Sequence, residues 1–155
     1  SLSSFRIVDR RLQLTYDENG IKVYDDYSHH PVEVLASLKG LKEMNHCRLR
    51  TVFQPHLFSR TKDFYSEFAE ALSISDEVIL MDIYPAREKP IEGITSELIL
   101  NEALKNNGNM KLLHKKNDVL AWLKNDLKQN DVIVFQGAGD ITNLCYEFVD
   151  LLKQN

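Results

Sequence analysis

The sequence predicts an α/β fold, with a mostly parallel sheet, helices on both faces and an antiparallel hairpin strand at the N-terminal end. Three observations predict it. Apolar strand-like segments alternate with amphipathic helical segments along the chain, which is the signature of βαβ units. The run from Glu77 to Ile83 is nearly continuously apolar, as in a strand buried on both faces of a parallel sheet. Near the start, two short alternating segments flank Asn19-Gly20, a strong hairpin signal. At 155 residues the chain is one domain, large enough for a real core.

Taken in order, Leu12 to Tyr16 is a short alternating strand, and Asp17-Glu18-Asn19-Gly20 turns it back into Ile21 to Tyr24. A loop, Asp25-Asp26-Tyr27-Ser28-His29-His30, then meets Pro31, which suits the first turn of a helix over Val32 to Met44. Cys47 to Phe53 is the next strand. The helix after it carries Phe64, Phe68, Ala69 and Leu72 on one face. The strand from Glu77 to Ile83 exits into a long loop through Gly93. Ser96 to Asn106 is helical and ends at Asn107-Gly108-Asn109. Met110 to Leu113 is a short strand, and Val119, Leu120, Leu123 and Leu127 mark another helix. Val132 to Phe135 is the last strand, and Ile141, Leu144, Cys145, Phe148, Val149 and Leu152 mark the last helix. The arrangement is Rossmann-like.

Composition narrows the function. A formal charge of −4 speaks against a general nucleic-acid binder. No apolar run of about 18 residues is present, so no membrane span is expected. Ser1-Leu2-Ser3-Ser4 lacks the regions of a signal peptide. Cys47 and Cys145 lie in apolar patterns and read as buried thiols rather than a disulfide framework. A cytoplasmic protein is expected.

The chemistry sits in the loops after Tyr24, Phe53, Ile83 and Phe135, which a parallel sheet places along one edge. In open α/β sheets ligands bind beyond the carboxyl ends of the strands. The loop Asp25 to His30 packs two carboxylates, a phenol and two imidazoles into six residues. Arg60 stands where a helix begins, and a cation there opposes the helix dipole, so it reads as an anion binder. Arg10 and Arg11, taken alone, read as surface charge. Gly137-Ala138-Gly139 lacks the third glycine of a dinucleotide fingerprint, since Thr142 stands in its place, and it reads as a tight turn with Asp140 as a helix cap. No Walker-type phosphate loop and no Gly-x-Ser-x-Gly elbow occur. Asp25, Asp26, His29, His30 and His56 could ligate a metal, but no H-x-x-x-H or H-x-H spacing supports one. The residues thus describe a polar, partly cationic site without a complete catalytic apparatus.

Read together, Arg10-Arg11-Leu12, Asp25 to Pro31, Phe53-Gln54-Pro55-His56 with Ser59-Arg60-Thr61, Asp82 to Glu88 and Gly137 to Asp140 resemble the carboxyl-terminal domain of the Mur ligase family. The resemblance runs the length of the chain and implies that residues 1–155 are the third domain of a larger enzyme. The first domain of that family binds the UDP-sugar. The second carries the phosphate loop and the main magnesium ligands. The third closes over ATP and brings in the amino acid. The member this chain is most similar to joins L-alanine to UDP-N-acetylmuramate in peptidoglycan biosynthesis through an acyl phosphate. The alternatives are a ligase that recycles murein tripeptide, or a stand-alone ligand-binding module. By position, the resemblance assigns Arg11 and Asp26 to ATP, and Tyr27, His29 and Arg60 to the incoming amino acid and acyl phosphate. Two departures stand out. Leu57 occupies a place where some members carry arginine, and Leu12 replaces a phenylalanine.

Overall fold

The computed structural model describes residues 12–44 and 48–154. Arg10, Arg11 and Cys47 lie outside these. The chain forms β1 (Gln13–Glu18), β2 (Ile21–Asp26), α1 (Pro31–Met44), β3 (Leu49–Phe53), α2 (Phe58–Leu72), β4 (Glu77–Leu80), α3 (Glu97–Lys105), β5 (Met110–Leu112), α4 (Lys116–Asn125), β6 (Val132–Gln136) and α5 (Ile141–Lys153).

One six-stranded sheet has the order β1-β2-β6-β3-β4-β5. β1 pairs antiparallel with β2. The pairs β2–β6, β3–β6, β3–β4 and β4–β5 are parallel. Asn19 and Gly20 both take positive φ, 55° and 75°, as the tight hairpin turn requires.

Side chains alternate between the two faces, as strand geometry dictates. Val78, Leu80, Phe53 and Val134 face α1, α2 and α3, meeting Val34, Leu38, Phe68, Leu72 and Ile99. Val52, Ile79, Ile133 and Phe135 face α4 and α5, meeting Leu123, Leu144 and Phe148. Cys145 is fully buried on this second face, and burial pushes its thiol up to about 12.

Two expectations shift. The strand expected over Glu77 to Ile83 ends its ladder at Leu80, although Met81 and Ile83 stay buried. Its neighbour β5 is only three residues long, and on the other side Pro55 has no N–H to give. Pairing resumes only at the His56–Tyr84 bridge. In α2, Phe64 leaves helical geometry (φ −128°, ψ 16°) and is only partly buried, so the apolar face is interrupted where the helix kinks.

Candidate functional site at the carboxyl ends of the strands

β6 lies between β2 and β3, yet the helix after β6 packs on the opposite face from the helices after its two neighbours. A crevice opens where connections diverge in this way. Its floor is Asp26 of β2, Gln136 of β6 and Gln54 just past β3.

Asp26 and Gln136 are fully buried. The Asp26 carboxylate accepts from Gln136 Nε2 at 2.8 Å, from Ser28 Oγ at 3.0 Å and from Ser28 N at 3.3 Å. Burial pushes its carboxyl up to about 6, against the pull of those hydrogen bonds. Asp25 points the other way along the strand. It accepts from the Thr142 hydroxyl at 2.6 Å and helps line a cavity of about 250 Å³ with Tyr27, Gly137 and Gly139.

The loop above them is braced from α1. Glu33 Oε1 accepts from the backbone N–H groups of His30 (3.2 Å) and His29 (3.3 Å). A carboxylate in the first turn that reaches back to the helix entry is half of a capping box. His29 Nδ1 lies 3.0 Å from the Tyr27 carbonyl. A carbonyl only accepts, so Nδ1 carries the proton and Nε2 is the acceptor of the neutral ring.

Rings then connect the two loops. Tyr27 and His29 meet edge-on at 5.3 Å, His29 and His56 lie 5.9 Å apart, and His56 and Tyr84 5.5 Å apart. Arg60 donates from Nη1 to the His56 carbonyl at 3.4 Å. Burial lowers the His56 imidazole pKa, with Arg60 adding to the effect. The fold therefore brings Asp26, Tyr27, His29 and Arg60 to one edge of the sheet, with His56 between His29 and Arg60. Arg11 lies outside the described residues.

The Gly137-Ala138-Gly139 turn forms the third wall. A Cβ on Gly139 would overlap the Tyr84 ring, and one on Gly137 would sit 3.0 Å from the Gln54 carbonyl oxygen. Glycine is required here by close approach. Asp140 occupies the N-cap position of α5, but its side chain does not cap the helix. Its carboxylate instead accepts from Gln54 Nε2 at 2.8 Å and from Lys116 Nζ at 3.3 Å. The Gln54 contact gives its carboxyl the larger part of its downward shift. The expectation of a capping aspartate is corrected: a better donor across the crevice outcompetes the local amide.

The sequence suggested no role for Gln136 or Glu33, and none for Gln54 or Glu88 beyond their place in segments that carry the resemblance. Gln136 carried a signal, since it is the one polar residue closing the run Val132-Ile133-Val134-Phe135. Three buried atoms at this edge, Gln54 Oε1, Gln136 Oε1 and His56 Nδ1, have no hydrogen-bond partner among the described residues. Such atoms are uncommon in a protein interior and can take a hydrogen bond from water or from a ligand. Among the described residues no group of three or more His, Cys, Asp or Glu is placed to hold a metal ion.

Residues 10–139 match the family described as Mur ligase, glutamate ligase domain. The UDP-N-acetylmuramate–L-alanine ligase of Porphyromonas gingivalis is 46% identical over 144 residues, covering 92% of this chain and 31% of that protein. The enzyme of the same name from Streptomyces avermitilis is 40% identical over 155 residues, covering 99% and 33%. The crystal structure of UDP-N-acetylmuramate-alanine ligase from Thermotoga maritima superposes with a TM-score of 0.76 at 26% identity, covering 94% of this chain and 30% of that one. The chain thus spans about a third of the length of the curated relatives it matches. With its parallel sheet, its crevice at β6 and a match over most of its length, the chain belongs to the Mur ligase family, glutamate ligase domain.

Proposed function

We propose that this chain is the carboxyl-terminal domain of a cytoplasmic, ATP-dependent ligase that joins L-alanine to UDP-N-acetylmuramate. The sugar-binding and phosphate-loop domains then lie elsewhere in the same protein. The observation that carries this reading is the similarity, along nearly the whole chain, to alanine ligases three times its length. The convergence of the Asp25–His30, Gln54–Arg60 and Gly137–Asp140 loops at one edge supports it.

When bound, ATP would supply the phosphoryl group that turns the lactyl carboxylate into an acyl phosphate, releasing ADP, with magnesium held mainly by the central domain. This chain's residues bind and orient. Arg60 presents a planar fork that matches the carboxylate of the amino acid or an acyl phosphate oxygen. Tyr27 and His29 wall the same space and limit the size of the amino-acid side chain. At the nucleotide end, Arg11 pairs with phosphate, and Asp26 accepts ribose hydroxyls. The buried acceptor Gln136 Oε1 stands beside Asp26 and suits the same donors. Asp26 and Ser28 are both fully buried, so a ribose reaches Asp26 only when this loop shifts and a ribose hydroxyl replaces that of Ser28.

The test is turnover by the full-length protein with ATP, UDP-N-acetylmuramate and single amino acids, following phosphate release and amide formation. L-Alanine-dependent turnover is expected, and residues 1–155 alone should fall far below the rate of about 1 per second typical of enzymes. Activity with a murein tripeptide and none with L-alanine would assign the recycling reaction instead.

A further inference from the structure

The start of α2 is the least conventional helix entry in the described chain. Leu57, at its N-cap position, has φ 78° and offers no side-chain cap. Leucine has no local compensation for that conformation. The first amides of α2 would be orphaned, and Arg60, in the first turn, adds a cation at the positive end of the helix.

A carboxylate from another element resolves both problems. Glu88, in the loop between β4 and α3, accepts from the Ser59 backbone N–H at 3.1 Å through Oε1 and from the Ser59 hydroxyl through Oε2. Its loop is strapped to the same segment: Leu57 N donates to the Tyr84 carbonyl at 2.9 Å, and Tyr84 N to the Pro55 carbonyl at 2.8 Å. Hydrogen bonds from Ser59 lower the Glu88 carboxyl pKa, so the carboxylate is ionised at neutral pH.

Arg60 is one residue past Ser59, on the turn that Glu88 holds. We propose that Glu88 is a positioning residue for the amino-acid end of the site: it caps α2 from outside and thereby fixes Arg60 beside His56. The inference rests on the ligase reading above. Glu88 occupies the helix terminus and leaves the Arg60 side chain for the substrate.

The test is steady-state kinetics of the full-length enzyme carrying Glu88→Ala, Glu88→Gln or Ser59→Ala. Loss of a capping interaction predicts that Glu88→Ala raises the KM for L-alanine by roughly tenfold, with the KM for ATP within about twofold of wild type. Glu88→Gln should recover most of the loss, because its amide oxygen still accepts from the Ser59 N–H. In an Arg60→Ala background, Glu88→Ala should add nothing further to the L-alanine KM. A folded Glu88→Ala enzyme with an unchanged amino-acid KM would overturn the inference, as would full additivity with Arg60→Ala. If Glu88→Ala does not fold, Ser59→Ala carries the test, with a smaller rise expected and no rise overturning it. A wild-type enzyme that uses a different amino acid, with that substrate's KM raised by Glu88→Ala, would sustain the inference while overturning only the choice of L-alanine.

Discussion

The two ends of the sheet are both rich in polar groups and handle them in opposite ways. At the amino ends, charges are consumed by one another. Arg48 donates to Asp131 at 2.8 and 2.6 Å and to Asp126 at 2.9 Å. Arg50, fully buried, donates to Glu77 at 2.7 Å and to the Leu123 carbonyl at 3.0 Å. Trp122 Nε1 adds a 2.9 Å bond to the other Glu77 oxygen. At the carboxyl ends, Gln54, Gln136 and His56 each keep a buried atom without a hydrogen-bond partner among the described residues, whereas the amino end keeps one, Arg50 Nη2, which still lies 4.0 Å from Asp126. One end pairs its charges with one another, and the other keeps more buried polar atoms open to a hydrogen bond.

The largest effect that could break this division lies at the closed end. Removing one member of a buried ion pair leaves the other charge stranded, at about 3–5 kcal/mol. Arg50→Ala should therefore lower unfolding stability by about that amount in urea titrations, while the folded fraction keeps its substrate KM values. A loss of substrate affinity in the folded protein would show that the two ends are not independent.

Next comes the open end. Arg60→Ala in the full-length enzyme should lower kcat/KM for L-alanine by the equivalent of about 2–5 kcal/mol, roughly 30- to several-thousand-fold. Arg60→Lys should recover only part, since it keeps the charge and loses the fork. Thermal stability should hardly change. Near-normal kcat/KM with reduced stability would make Arg60 a structural residue.

The smallest effect has the opposite sign. The Asp26 carboxyl lies at about 6 in the folded protein, against an ordinary aspartate value of 3.8. Its folded pKa is raised, so folding is favoured while it is protonated and penalised as pH rises through that window. The penalty is absent below about pH 4 and complete above about pH 6, amounting to about 3 kcal/mol at most. Asp26→Asn should raise the melting temperature at pH 7.5 and lose that gain as pH falls toward 4. Gln136 can accommodate the change by turning its amide to present Oε1. The same variant should weaken ATP binding. A variant that is destabilised at every pH would mean that the carboxylate belongs to the closed class.

Much of the fold was legible because local and global preferences agree. Asn19-Gly20, Pro31 and the strand–helix alternation each point to the element that forms. The ring-bearing loops were legible as well, since polar residues crowd where a strand must end. What stayed hidden depends on contacts across the chain. Asp140 reads as a cap in sequence and becomes a partner of Gln54, 86 residues away. Glu88 stands in a segment that carries the resemblance, but nothing in the sequence links it to Ser59, 29 residues away, whose amide it accepts from at the start of α2. The apolar run through Ile83 reads as strand to its end, but the length of a ladder is set by its neighbours. Asp25 and Asp26 are adjacent letters with one chemistry, and only the pleat of β2 sends one to an open cavity and the other into a buried bond with Ser28.

The burial of Cys145 turns that residue into a clock. Its sulfur lies under α5, 3.9 Å from the Tyr24 carbonyl oxygen, and the thiol stays protonated at neutral pH. Thiolate is the form that reacts, so an alkylating reagent finds almost none of it while α5 stays docked on β2. In a Cys47→Ser background, the rate of modification therefore counts departures of α5 from the sheet. Those departures loosen Thr142, the residue that holds Asp25 at the mouth of the crevice. Chemistry at one sulfur can thus report how often the floor of the binding edge comes apart, with no substrate present.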